Sequence, residues 1–260
     1  PFTNVNYTFQ ETVETISRIG YESIELVFTT LERGTYIHPE TLFGKNGKRI
    51  LETCSSFGVE ISALGAYAGH LSRDEMQRRQ TIDFVKRSLE LAARLGIANV
   101  VTVSGEAKME KEKAWKILFD IMEEEARYAE EVGVKIALHP HIGNLVLSPD
   151  DSVRLIETVR SDSFGLTLDA AHLFVSGFDL IDSTKKLGKY VTHAHLMGVQ
   201  DRIMGDQHPI GIEESDLPNL EWLKALRNEG YCGAIAVRVP DSTDGTILEK
   251  RTKSSYNYLC

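Results

Sequence analysis

Five histidines and one aspartate gather at the ends of short hydrophobic runs in the second half of the chain. His139 closes the run 134–139 and is followed by Pro140 and His141. Asp169 closes 165–169, and His172 follows it by three residues. His193 and His195 end the run 190–196, and Arg238 lies near the end of 234–239. Imidazole and carboxylate are the groups that ligate transition metals and move protons near neutral pH. His139, Asp169 and His195 supply two imidazoles and one carboxylate, a set suited to Mn, Zn, Co or Fe with positions left open for substrate. His141 and His139 read as the catalytic imidazoles, with His141 the candidate base. His172 reads as a substrate contact or a support for a ligand.

These residues need elements that bring them together. Eight runs rich in Val, Ile and Thr read as strands: 5–9, 23–28, 59–65, 99–104, 134–139, 165–169, 190–196 and 234–239. Amphipathic helical stretches alternate with them, for example 11–19, 81–95, 113–132 and 218–229. Gly20, Gly58, Gly96, Gly133 and Gly230 stand where a helix must end and turn back into a strand. Regular alternation of this kind predicts a parallel sheet with crossover helices, and eight units in 260 residues predict an α/β fold, a (β/α)8 TIM barrel in one domain over 1–260. Strand parity then sorts the side chains. Ile136, Leu138, Leu166, Leu168, Ala194, Leu196, Ile235 and Val237 are expected to face the helices. Ala137, His139, Thr167, Asp169, His193, His195, Ala236 and Arg238 are expected to face the barrel axis. Four neighbouring strands thus end in inward ionisable groups at the face where barrels carry chemistry, where apolar residues would be more stable.

The composition narrows the partners. Lys and Arg number 29 against 38 Asp and Glu, a net charge of −9. That balance argues against nucleic acid, which needs a basic surface, and so against a DNA-repair endonuclease. Cys54, Cys232 and Cys260 form no CxxC pair and leave an odd count, which reads as a reducing, cytoplasmic setting. No apolar run reaches the length of a membrane span. The acidic run Glu123-Glu124-Glu125 falls in a predicted helix and is expected on its solvated face.

The sequence resembles the sugar phosphate isomerase/epimerase family of xylose isomerase-like barrels. The resemblance is carried by Ile19-Gly20-Tyr21-Glu22-Ser23-Ile24-Glu25-Leu26, by Leu168-Asp169 with His172, by His193-Ala194-His195, and by a loop containing Arg202, His208-Pro209 and Gly211, in which Ile210 replaces a glycine. It implies one divalent metal held by Glu, Asp, His and Glu from strands five to eight. Asp169 and His195 keep their places, His139 stands at the first Glu position and Arg238 at the last. In that family the two glutamates also move the proton beside the carbonyl, so a chain lacking both cannot use that two-base mechanism.

The expected function is carbohydrate chemistry: isomerisation or epimerisation of a sugar or sugar phosphate through a metal-stabilised enediolate. A lyase or dehydratase using the same enolate, or a metal-free sugar-binding barrel, are the alternatives. Arg238 either binds a substrate anion or pairs with Asp169 in place of a metal. Arg202 and His208 are expected to orient substrate. Glu25, Glu106 and His70 each have two readings, a substrate contact or an ordinary satisfied or solvated residue. The expected partner is a small sugar-like molecule, with neither nucleic acid nor membrane, and a homo-oligomer is compatible.

Overall fold

The protein is described by a computed structural model covering residues 7–28, 39–204 and 210–260. Seven parallel strands lie in the order β1 (Ser23–Phe28), β2 (Glu60–Gly69), β3 (Asn99–Val103), β4 (Lys135–Leu138), β5 (Phe164–Asp169), β6 (Val191–Met197) and β9 (Ile235–Arg238), forming a nearly closed barrel. A small antiparallel hairpin, β7 (Val199–Gln200) and β8 (Ile203–Met204), follows β6. Of the expected first strand, 5–9, residues 5 and 6 lie outside the described residues, and residues 7–9 are not in a strand. Its last residue, Phe9, instead opens helix α1 (Phe9–Ile19), because Thr8 and Glu11 form a capping box.

The remaining helices are α2 (Lys45–Ser56), α3 (Glu75–Leu95), α4 (Lys111–Val132), α5 (Pro149–Val159), α6 (Ala170–Val175), α7 (Leu180–Leu187), α8 (Asn219–Asn228) and α9 (Gly245–Leu259). Start and stop signals explain their limits. Asp74 and Ser148 cap α3 and α5, and Pro149 opens the latter. Gly96 and Gly133 end α3 and α4 at φ 70° and 72°, a conformation that costs a residue with a Cβ about 1–2 kcal/mol. No described helix is long and apolar enough to cross a membrane.

The parity read from sequence holds. Ile136, Leu138, Leu166, Leu168, Ala194 and Leu196 are fully buried in the large core between sheet and helices. Ala63, Val101 and Ala137 form a separate small cluster inside the barrel, with Tyr67 packed on it. Each fully buried Leu or Ile of the outer core contributes roughly 1.5–3 kcal/mol. The interior therefore adds little apolar stabilisation at its upper end, and the polar groups there must find one another.

The acidic run departs from expectation. Glu124 does bind surface cations, Arg79 and Lys86. Glu125, however, is completely buried. Helical spacing explains this: Glu125 continues the buried stripe of Leu118, Ile121 and Met122. Its partner is His70, also fully buried, whose Nε2 lies 2.9 Å from Glu125 Oε1 while Nδ1 donates to Val103 O at 2.7 Å. His70 thus has both nitrogens engaged beneath the loop after β2, which removes the basis for a substrate contact.

This pair gives a pH prediction. Burial lowers His70 and raises Glu125, and the Glu125 charge leaves His70 raised on balance, so both stand above their ordinary values of 6.5 and 4.5. The folded state then holds more protons than the unfolded one. The pair's contribution is complete below those ordinary values and is lost as pH rises through the folded ones. Urea unfolding from pH 5 to 9 should show wild-type stability falling with a slope that His70→Phe/Glu125→Leu removes. An unchanged slope in the double variant contradicts the assignment.

Candidate active site

Asp169 is built into the mouth by two local rules. It is the last residue of β5 and the N-cap of α6, so its Oδ1 accepts from the Ala171 amide at 2.8 Å. That bond fixes the carboxylate and leaves Oδ2 facing two imidazoles. His139 Nε2, just beyond β4, lies 3.6 Å from Oδ2. His172 Nε2, one helical turn along α6, lies 3.9 Å from it. All three residues are buried.

These separations exceed hydrogen bonds. They are close to the spacing of two donors on one tetrahedral ion, about 3.4 Å for bonds of about 2.1 Å. Among the described residues, neither ring nitrogen of His139 has a hydrogen-bond partner, a costly state for a buried imidazole. Burial, opposed by Asp169, pushes His139 down to about 3, so its ring is neutral as a metal ligand must be. Burial works against the charge of Asp169, but His172 and His139 hold its carboxyl below the usual range. His139, Asp169 and His172 each offer a ligand atom within 4.8 Å of the others, and the neutral His139 ring has both nitrogens unpartnered among the described residues, while His172 Nδ1 accepts from the Ile142 amide at 3.4 Å.

His195 was expected as the third ligand, and it does pair with Asp169 in the β5–β6 register. Its Nε2, however, is 2.7 Å from Glu25 Oε2. His193 Nε2 reaches the same oxygen at 3.0 Å, and Tyr67 donates to Glu25 Oε1 at 2.6 Å. These are hydrogen-bond lengths, and the donors are matched to an acceptor-only carboxylate. Burial opposes the charge of Glu25, yet His195 and His193 hold it well below its ordinary value. Burial likewise lowers His195, but the neighbouring Glu25 raises it on balance. The mouth thus contains two groups whose donors lie close enough to share an ion, Glu25 with His193 and His195, which are hydrogen-bonded to one another, and His139 with Asp169 and His172, whose separations exceed hydrogen bonds.

The other candidates are dispersed. His141 is half-buried, with its ring 3.9 Å from that of His172 and 5.5 Å from that of His139. Its Nδ1 donates to Ile142 O at 2.6 Å, leaving Nε2 with the lone pair. Arg238 stands at the exposed end of β9, and its charge acts on Tyr67 and His195. Glu106 turns to solvent beside Lys108. Arg202 donates to Phe174 O at 2.9 Å and lies over the Phe174 ring. Asp201 and Arg202 have φ of 51° and 58°, the positive pair a two-residue hairpin turn demands, so Arg202 ties the β7–β8 turn to α6. His208 lies outside the described residues. Sequence reasoning passed over Tyr67, which sits in β2 beyond the expected strand end.

Residues 13–259 match the family model of the xylose isomerase-like TIM barrel. The chain belongs to that family. Among curated relatives of this xylose isomerase-like barrel is the inosose isomerase of Bacillus subtilis (strain 168), 26% identical over 236 residues, covering 87% of this chain and 82% of that protein. The solved IOLI protein with a bound zinc atom shares 24% identity at a TM-score of 0.80, covering 99% of this chain and 94% of that one. D-psicose 3-epimerase from Clostridium cellulolyticum H10, solved with D-tagatose, shares 15% at a TM-score of 0.79, covering 97% and 93%. The two structural likenesses, both below 25% identity, speak for the fold of the xylose isomerase-like barrel.

Proposed function

We propose that this barrel is a metal-dependent enzyme that removes a proton from the carbon beside the carbonyl of a polyhydroxylated ketone, leading to isomerisation or epimerisation. The observation that carries this reading is Asp169 Oδ2 set between two buried imidazoles at 3.6 and 3.9 Å, at the C-terminal end of a parallel barrel. The inosose isomerase relative and the epimerase with a ketose support the substrate class. The zinc of the IOLI structure supports a cation.

His139, Asp169 and His172 would hold the cation. When bound there it supplies positive charge against the oxyanion that develops as the proton leaves. Ala171 keeps the Asp169 carboxylate from rotating. His141 accepts the proton at Nε2, because its Nδ1 hydrogen is fixed on the Ile142 carbonyl. Arg238 at the rim orients substrate oxygens through its planar fork.

A second reading, a dehydratase, begins with the same proton removal and then expels a neighbouring hydroxyl. It is supported by inosose dehydratases such as that of Clostridium beijerinckii, 30% identical over 93 residues, which span 31% of that enzyme.

The test is incubation with Zn or Mn in D2O with inosose, D-psicose and D-tagatose, followed by NMR. Deuterium should appear beside the carbonyl of at least one compound, and a chelator should slow this by more than about 100-fold, since the cation carries several kcal/mol of charge stabilisation. An isomer as product favours the first reading and a dehydrated ketone the second. No exchange in any of the three contradicts both.

A further inference from the structure

Arg238 brings a permanent positive charge to a mouth of carboxylates and imidazoles. The β6–β9 register sets Ala236 against His195 and Arg238 against Met197, so Arg238 follows Ala236 on the face of the sheet that carries His195. β9 ends at this residue, which is exposed at the rim. Its charge acts on Tyr67 and His195, two groups of the mouth. Arg202 and Lys108, on neighbouring loops, already face Phe174 O and Glu106.

The charges of the loaded mouth leave a surplus. Asp169 and Glu25 both stand as carboxylates against N–H donors. Together they cancel one divalent cation. The guanidinium then remains as one positive charge, and any protonated imidazole adds to it. A guanidinium near a cation also weakens that cation's binding, and a shared anionic substrate reverses the sign of the effect. Over the whole chain the net charge is −9, a field that turns anions away. A local fork at the rim is what admits one. Two parallel N–H groups match a carboxylate in shape, and one guanidinium matches it in charge. A phosphate dianion would keep an uncompensated charge there.

We infer that the substrate of this site is a polyhydroxylated keto acid, whose carbonyl end enters the mouth and whose carboxylate is bound by Arg238 at the rim. This rests on the proton-transfer reading above and narrows its substrate class to ketones that carry one negative charge. Arg238 is then the residue that sets specificity: it separates substrates by the group they present at the rim, while the carbonyl end is handled deeper in the mouth.

The test uses D-tagatose, D-tagaturonate and D-tagatose 6-phosphate, which differ at the carbon farthest from the carbonyl: a hydroxyl, a carboxylate or a phosphate. Deuterium exchange with zinc-loaded protein gives kcat/KM for each. In wild type D-tagaturonate should exceed both others by at least about 30-fold, the range of a hydrogen-bonded charge pair. That ratio should fall below about threefold in Arg238→Met and recover in part in Arg238→Lys, which keeps the charge and loses the fork. Added salt should shrink the wild-type ratio. In a zinc titration without substrate, Arg238→Met should bind the ion about threefold or more tightly, because a like charge is gone, a change that a merely structural residue does not produce. Equal kcat/KM for D-tagatose and D-tagaturonate, a preference for the phosphate, or a ratio that survives in Arg238→Met overturns the inference while leaving the functional reading in place. Absence of exchange in all three compounds overturns both.

Discussion

Asp169→Asn should lower zinc affinity by at least about 100-fold, equivalent to about 2.7 kcal/mol, while leaving the barrel folded. The substitution keeps the shape and an oxygen able to accept from the Ala171 amide, so the start of α6 survives. What disappears is the only carboxylate among His139, Asp169 and His172, and with it the negative charge that draws a cation toward the two imidazoles. Competition against a chromophoric chelator measures the affinity, and far-ultraviolet circular dichroism checks the fold. Equal affinity in the two proteins would place the cation elsewhere.

Glu25→Ala should be the most damaging single change for stability. It strands the Tyr67 hydroxyl and two imidazole N–H groups in a nearly closed space, and breaking a buried charge pair costs about 3–5 kcal/mol. Tm should fall by roughly 10 °C in a chain of this size. The loss depends on pH with a definite sign. The Glu25 carboxyl is held below its ordinary 4.5, so its stabilisation is present above pH 4.5 and is lost as pH falls through the folded value. His195 is held above its ordinary 6.5, so its share is present below pH 6.5 and is lost as pH rises through the folded value. The gap between wild type and Glu25→Ala should therefore be widest between pH 4.5 and 6.5. Urea unfolding at pH 3, 5.5 and 8.5 measures it, and a gap that widens toward pH 3 contradicts the network.

The outline of the mouth was legible because a strand alternates with a period of two. Ile136, Leu138, Leu166 and Leu168 had to face the helices, and that choice alone sent His139 and Asp169 inward. Pairings between distant strands were not legible. Glu25 and His195 are 170 residues apart, and no local spacing links them. Tyr67 was missed because β2 runs on through Gly65-Ala66-Tyr67-Ala68-Gly69, a stretch whose glycines and alanines read as the end of a strand. The burial of Glu125 was readable from its place on the stripe of Leu118 and Met122, but three successive glutamates looked like a solvated face. Arg202 carries an Arg signature for substrate, yet the twist of a two-residue hairpin and the Phe174 carbonyl claim it first.

The most direct test of the central claim is anomalous diffraction from crystals soaked in zinc. The account predicts one ion in the mouth, with His139 and His172 nitrogens and Asp169 Oδ2 each about 2.0–2.2 Å away, and with His195 still hydrogen-bonded to Glu25. An ion bound by His195 after its release from Glu25, or no ion at saturating zinc, would contradict it.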